Sequence, residues 1–168
     1  LRGVAQIGDS TIVAAGEYGT IVRSTDLGND WRKFTHQPIG AGETLLTSVD
    51  VFADKTCIAV GNSGTVARSQ DEGKTWQVEK IGSELLTKIR CKDNLGIIVG
   101  EKGVILQTTN NGKNWTRILS GTTNTLNDIL IVSPNSIFVV GTNGTLLHSA
   151  NEGRTWEPRT AFTSSTIA

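Results

Sequence analysis

The sequence predicts an all-β chain built as a β-propeller, with four blades of four antiparallel strands each. Three observations carry this prediction. A turn in which a hydroxyl residue is followed by Asp or Asn, then Gly, then Trp at fixed spacing occurs four times. A Gly-x-x-Gly turn precedes each of these. The tryptophans recur at intervals of 39 to 45 residues, the period of a four-stranded blade.

Taken in order, each repeat offers four short apolar-periodic runs. The first is Val4 to Ile7, recurring as Val49 to Phe52, Ile89 to Lys92 and Ile129 to Val132. The second is Thr11 to Ala15, recurring as Cys57 to Val60, Gly96 to Val99 and Ile137 to Val140. Turns held between Gly16 and Gly19, Gly61 and Gly64, Gly100 and Gly103, and Gly141 and Gly144 then reverse the chain by hairpin chemistry. The third run, as in Thr20 to Arg23 or Thr65 to Arg68, leads into the tryptophan turn, and the fourth begins at the tryptophan. No helix longer than two turns is expected inside any repeat.

The four tryptophan turns are Ser24, Asp26, Gly28 and Trp31; Ser69, Asp71, Gly73 and Trp76; Thr108, Asn110, Gly112 and Trp115; and Ser149, Asn151, Gly153 and Trp156. The hydroxyl and the Asp or Asn side chain can take up N–H groups of their own loop, the glycine supplies a positive φ, and the indole covers the turn. These residues are expected to be architectural. Asparagine replaces aspartate in two of the four turns, which keeps the acceptor oxygen but removes the charge a calcium site would use. Neither a metal nor a cofactor is expected.

Composition bounds the function. At 168 residues the chain is one domain's worth, with blades at about 1–45, 46–85, 86–125 and 126–168. Sixteen basic and sixteen acidic residues leave no net field to draw it to nucleic acid or an anionic membrane. No apolar run approaches membrane-spanning length. Cys57 and Cys91 lack metal-ligand spacing and lie in apolar runs, so buried free thiols are the reading favoured over a disulfide. Asn114-Trp115-Thr116 and Asn143-Gly144-Thr145 match the glycosylation sequon, but both fall on repeat-dictated positions and read as coincidence. Leu1 reads as a processed or trimmed start, and no signal peptide is visible.

Two other architectures of similar period fail on detail. The Gly-His and Trp-Asp dipeptides of tryptophan-aspartate repeats are absent, and helical solenoids would need 3.6-residue periodicity where this chain has runs of about 4–6 residues. The Ser-x-Asp-x-Gly-x-Thr-Trp turn resembles the Asp-box, or BNR, repeat of sialidase-type propellers. The fuller pattern of Leu1-Arg2-Gly3-Val4, Ala15-Gly16-x-x-Gly19-Thr20-Ile21 and Arg23-Ser24-Thr25-Asp26 is most similar to the photosystem II stability and assembly factor branch of that superfamily.

The resemblance implies a non-enzymatic, protein-binding scaffold that aids assembly or stability of a larger complex, such as a membrane-protein complex, outside the cytoplasm. Periplasm, thylakoid lumen and secretion all fit that expectation. The reading from another class is a glycan-binding or sialidase-like module, and a third is a structural subunit of a larger assembly. A sialidase would need three converging arginines, a tyrosine nucleophile with its activating glutamate, and a separate acid. Here Tyr18 is the single tyrosine, and Glu17 beside it on a tight turn is poorly placed to activate it. His36 on a linker and His148 at a repeat position read as solvated or blade-edge residues.

In sialidase-type propellers the catalytic groups lie on the mouth opposite the tryptophan turns. By that resemblance Glu17, Tyr18, Asn62, Glu101, Lys102 and Asn143, with linkers 35–44, 80–84 and 120–125, form the recognition face. On the first strands Asp50, Lys88, Arg90 and Asp128 interrupt an apolar alternation, and with Arg2 they are expected to charge the mouth of a central channel that docks a polar peptide or loop. Arg23 and Arg68 form a second candidate surface, matching the arginine patch of the assembly factors, although Gln107 and His148 break that series.

Leu46, Leu86 and Leu126 stand three residues before Val49, Ile89 and Ile129, as Leu1 does before Val4, and Ile167 follows Trp156 as Leu126 follows Trp115. The chain thus holds whole blades. It is expected to be a segment of a larger ring, or a half-ring that completes itself by association, ahead of a closed four-bladed ring.

Overall fold

The computed structural model describes residues 1–33 and 43–159. They form four sheets, each a four-stranded antiparallel meander in chain order. The first holds β1 (Gly3–Ile7), β2 (Thr11–Ala15), β3 (Ile21–Ser24) and β4 (Arg32–Lys33). The second holds β5 (Leu46–Val51), β6 (Cys57–Gly61), β7 (Thr65–Ser69) and β8 (Gln77–Lys80). The third holds β9 (Leu86–Lys92), β10 (Leu95–Gly100), β11 (Ile105–Thr108) and β12 (Thr116–Ile118). The fourth holds β13 (Leu126–Ser133), β14 (Ser136–Gly141), β15 (Leu146–Ser149) and β16 (Glu157–Pro158). Helix among the described residues is limited to single 3₁₀ turns at Glu17–Gly19 and Glu101–Gly103.

Three details differ from the sequence expectation. The first strands of the last three sheets begin at the leucines, three residues before the expected start. An odd spacing would put Leu46 and Val49 on opposite faces of a regular strand, yet both are buried. A register shift between Leu46 and Ser48, repeated between Leu126 and Asp128, restores the alternation. The hairpin reversal lies one residue later than the glycine pair implied. Tyr18 and Gly19 both take positive φ, with the Thr20 N–H donating to the Glu17 carbonyl at 3.1 Å. The same type I′ geometry recurs at Ser63-Gly64, Lys102-Gly103 and Asn143-Gly144, so the second glycine is the one the turn needs. The fourth strand begins after the tryptophan, whose ring is occupied with the turn.

The turn between β7 and β8 shows the internal wiring. Ser69 Oγ donates to Asp71 Oδ1 at 2.8 Å and accepts the Gly73 N–H at 2.9 Å. Asp71 also accepts the Thr75 N–H and hydroxyl, at 2.8 and 2.6 Å. The Trp76 indole N–H closes the loop on the Gly73 carbonyl at 3.1 Å. Burial alone would raise the Asp71 pKa, but the Thr75, Ser69 and Lys74 hydrogen bonds outweigh it and hold the carboxyl below its ordinary range. Trp31 and Trp156 close their turns in the same way on Gly28 and Gly153.

The apolar core is divided between the sheets. One cluster joins Ile7, Val13, Ala15 and Ile21 of the first sheet to Val49, Cys57, Ala59 and Ala67 of the second. A second joins Phe52, Ile58, Val60 and Val66 to Ile89, Ile98 and Leu106 of the third. A third joins Ile97, Val99 and Ile105 to Ile129, Ile137, Val139 and Leu147 of the fourth. Alternate residues of each strand therefore serve the sheet before and the sheet after, and each blade is held by its neighbours. Cys57 and Cys91 are free thiols. Burial, then the nearby Asp71 and Glu72 carboxylates, push Cys57 up to about 12, which leaves it protonated and inert as a nucleophile.

Candidate protein-binding face

The first strands of the four sheets lie side by side, β1 against β5, β5 against β9 and β9 against β13. This arrangement brings Lys88 and Asp128, which occupy equivalent places in successive repeats, to 3.9 Å of each other. Asp128 is more than half exposed and Lys88 less than a third, so the ion pair is open to solvent and worth little to the fold. Arg90, two residues along β9, is half-buried and makes no hydrogen bond or ion pair among the described residues. Lys88 and Asp128 are thus paired with each other across β9 and β13, and Arg90 lies two residues from Lys88 on the same strand.

Asp50 does not belong to that cluster. Its Oδ2 accepts the Cys91 N–H from β9 at 2.9 Å, and its Oδ1 accepts the N–H of Val51 at 2.8 Å. The carboxylate joins two first strands rather than facing a ligand. Arg2 pairs with Glu17 at 2.9 Å, both side chains being about half exposed, while Tyr18 on the neighbouring turn is exposed. The turn amides brace linkers: Asn62 accepts the Leu45 N–H and donates to the Glu43 carbonyl, and Asn143 donates to Asn124. Linker residues 35–42, including His36, lie outside the described residues.

Arg23 and Arg68 require correction as a candidate surface. Arg23 is buried, and its Nε donates to the Glu72 carbonyl of the next blade at 2.8 Å. Arg68 does the same to the Asn111 carbonyl at 3.0 Å, and Gln107 reaches the Glu152 carbonyl at 2.7 Å. The substitution of Gln for Arg that seemed to break a series therefore preserves one function. A donor on the third strand fastens the next tryptophan turn through the carbonyl of a residue at positive φ, about 57° to 62° in the three cases. The adjoining glycine is required by the same contact, because a Cβ on Gly73, Gly112 or Gly153 would lie 2.7 to 2.8 Å from Val13, Ile58 or Ile97 of the preceding blade.

The second of these seams is imperfect. Arg68 Nη2, Asn111 Oδ1 and the Trp115 indole N–H are buried without partners among the described residues. Beside them a cleft of about 350 Å³ is lined by Arg68, Gln77, Val78, Glu79, Gly112 and Lys113. A shallower hollow of about 550 Å³ lies over Lys102, Arg117 and Ser120 to Thr123. There Arg117 bonds Glu84 at 3.2 Å and, with the Glu84 and Ser83 N–H groups, holds that carboxyl down at about 2. The sequence offered no signal for this pair, since Glu84 sits in a linker that differs from repeat to repeat.

Among the described residues no helix is long and apolar enough to cross a membrane, and no group of three or more His, Cys, Asp and Glu could hold a metal ion. No curated protein matches the sequence. Residues 42–123 match the sequence model described as photosynthesis system II assembly factor YCF48. The solved structure "YCF48 bound to D1 peptide" is similar at 20% identity and TM-score 0.73, over 97% of this chain and 55% of that one. YCF48 from Cyanidioschyzon merolae is similar at 19% identity and TM-score 0.71, over 98% and 57%. A GH74 enzyme from Niastella koreensis is similar at 22% identity and TM-score 0.66, over 92% of this chain and 23% of the enzyme. The chain thus spans little more than half the length of the two YCF48 chains. Its fold is a β-propeller framework of four blades, and residues 42–123 are similar in sequence to the photosystem II assembly factor model.

Proposed function

We propose that the chain is a non-enzymatic protein-binding scaffold that aids assembly of a larger protein complex outside the cytoplasm. The observation that carries this reading is the match of residues 42–123 to the YCF48 assembly factor, a propeller that in one solved structure holds a peptide. The groups best placed for binding are Lys88, Arg90 and Asp128, which lie together on adjacent first strands with Arg90 uncommitted. A peptide or loop with an acidic residue near a hydrogen-bonding partner fits that cluster. Arg23 and Arg68 are consumed by the seams, and Tyr18 and Arg2 contribute at most the rim.

The test compares the chain with a Lys88→Glu/Arg90→Glu variant, using each as bait on an extract of the source and identifying what is retained. A complex subunit held by the wild-type chain at low salt, released by salt, and lost from a variant of unchanged melting temperature supports the reading. Equal retention by both baits removes the cluster from the account. Hydrolysis of a glycoside by the intact chain removes the non-enzymatic assignment.

A further inference from the structure

The third blade departs from the second at the outer end of its sheet. In the second blade the linker after β8 is closed on the hairpin turn: the Gly64 N–H donates to the Glu84 carbonyl and the Ile81 N–H to the Gly64 carbonyl, both at 2.8 Å. Ile81 packs against the core, and Lys80 Nζ reaches the Thr65 hydroxyl. The third blade has Leu119 and Ser120 at these two positions, by the register of β12 on β11. Its linker is also one residue longer, since Leu86 follows Trp76 by ten positions and Leu126 follows Trp115 by eleven. Neither of the two backbone bonds is formed there among the described residues. Ser120 turns instead to its own linker, its Oγ accepting the Thr122 N–H at 3.3 Å and donating to the Thr122 carbonyl at 3.1 Å. Leu119 is left 91% exposed.

The space so opened is the hollow of about 550 Å³ between the turn at Lys102-Gly103 and the segment from Arg117 to Thr123. All of its lining residues lie between β10 and β13, within described sequence on both sides. The lining carries two cations, Lys102 and Arg117, and no carboxylate. Two acids on the adjoining linker and turn are already committed. Glu84 accepts Arg117 Nη2 and the Ser83 N–H at 3.2 and 3.0 Å, and Glu101 accepts the Leu85 N–H at 3.4 Å. Lys102 makes no hydrogen bond or ion pair among the described residues, and Arg117 keeps its Nε and Nη1 donors uncommitted there. Ile118 and Leu119 supply the apolar part of the lining.

We propose that this hollow docks an acidic peptide segment of a partner protein, with a carboxylate side chain set on Lys102 and Arg117 and a neighbouring apolar side chain on Leu119. The occupant is argued from charge and polarity. Two cations without a lining acid select a carboxylate, and an exposed leucine beside them selects an apolar neighbour. The Gly103 carbonyl and the Ser120 N–H, unbonded among the described residues, suit a peptide main chain. The hollow opens at the same end of the third sheet as Lys88, because Gly100 pairs with Leu86 at the inner edge and Ile105 with Ile118 at the outer. Three strand spacings, roughly 14 Å, separate these edges, a span that about four or five extended residues cover. A peptide held at Lys88 and Arg90 therefore reaches the hollow. The inference rests on the protein-binding reading and adds a second anchor to it.

The test titrates the isotope-labelled chain with the synthetic peptide Gly-Gly-Leu-Asp-Leu-Gly-Gly and with its Leu-Asn-Leu counterpart, following backbone amide shifts. Saturable shifts are expected at Gly103 and from Leu119 to Thr123, weakened by salt. The dissociation constant should rise roughly fivefold or more for the Asn peptide, for Lys102→Glu and for Leu119→Ser. Both substituted positions are exposed, so the melting temperatures of these variants should be unchanged. Lys88→Glu/Arg90→Glu should bind this peptide as the wild type does, because its one acid occupies one anchor. Shifts centred on β9, or loss of binding in that variant alone, overturn the inference and leave the protein-binding reading in place. No saturable shift up to about 2 mM peptide, or equal binding of the Asp and Asn peptides, overturns it as well. A wild-type bait that retains no complex subunit, while the peptide still binds at the hollow, supports the site and counts against the protein-binding reading alone.

Discussion

The first and second internal seams are built on the same plan, yet the residue that offers its carbonyl differs between them, with several consequences. In the first, the residue that offers its carbonyl to arginine is Glu72, whose carboxylate also lies 3.5 Å from Arg23 Nη2 and 2.9 Å from Lys55. In the second it is Asn111, whose Nδ2 is drawn to Asp54 at 2.6 Å. Among the described residues Arg68 is left with one bond, and its Nη2, the Asn111 carboxamide oxygen and the Trp115 N–H go unpaired. The comparison separates two roles that the repeated arginine combines. The Nε to carbonyl bond positions the blades, while the rest of the guanidinium needs a carboxylate that only the first seam provides. The third seam, with neutral Gln107, makes the positioning bond and avoids the burden of a buried charge.

The largest expected effects come from the tryptophans. Trp76→Ala should lower stability by about 3–5 kcal/mol, as for other large aromatic truncations. Trp115→Ala should cost about 1 kcal/mol less, because its indole N–H is already without an acceptor and removing it relieves a desolvation penalty. Denaturant melts of the two variants check the difference, and a larger loss at Trp115 would break the comparison.

The arginines should differ in the same sense. Arg23→Gln retains a donor for the Glu72 carbonyl but gives up the carboxylate contact, for a loss of about 1–2 kcal/mol. Arg68→Gln copies the third seam and should cost no more than about 0.5 kcal/mol, with a gain in stability also consistent with removal of an unpaired buried cation. Equal losses in thermal melts would show that the carboxylate is immaterial.

A smaller effect should appear on acidification. Glu84, held at about 2 against an ordinary 4.5, contributes stability that is fully present above pH 4.5 and is lost as the pH falls toward 2. Asp26 and Asp71, also lowered, contribute in the same sense, their share being present above the ordinary value of 3.8 and lost at lower pH. Melting temperatures across this range should fall less steeply for Glu84→Gln than for the wild type. Parallel curves would remove the Arg117 contact from the account.

Much of this architecture was legible in the sequence because it is repeated. Four tryptophan turns and four glycine turns gave the sheets, their order and the wiring of Ser69 to Asp71, since those bonds are local and depend on residue type alone. What could not be read was direction. Arg23 and Asp50 look like surface charges in a strand pattern, and only the packing of one blade on the next reveals that each is bonded to its neighbour's backbone. The bulge at Leu46 was hidden for a related reason, because a single extra residue reverses strand parity without altering composition. Of the proposed recognition residues, Lys88, Arg90 and Asp128 stand together, whereas Asp50, Arg23 and Arg68 are taken up by the seams.

The central claim is that the side chain at positions 23, 68 and 107 fastens each blade to the next turn, with added strength only where a carboxylate faces it. Paired double-mutant cycles test this most directly, one on Arg23→Gln with Glu72→Gln and one on Arg68→Gln with Asn111→Ala, each followed by chemical denaturation. The account predicts that the first double variant loses clearly less than its two single losses together, while the second pair is additive within error. Additivity in the first cycle, or coupling of equal size in both, would contradict it.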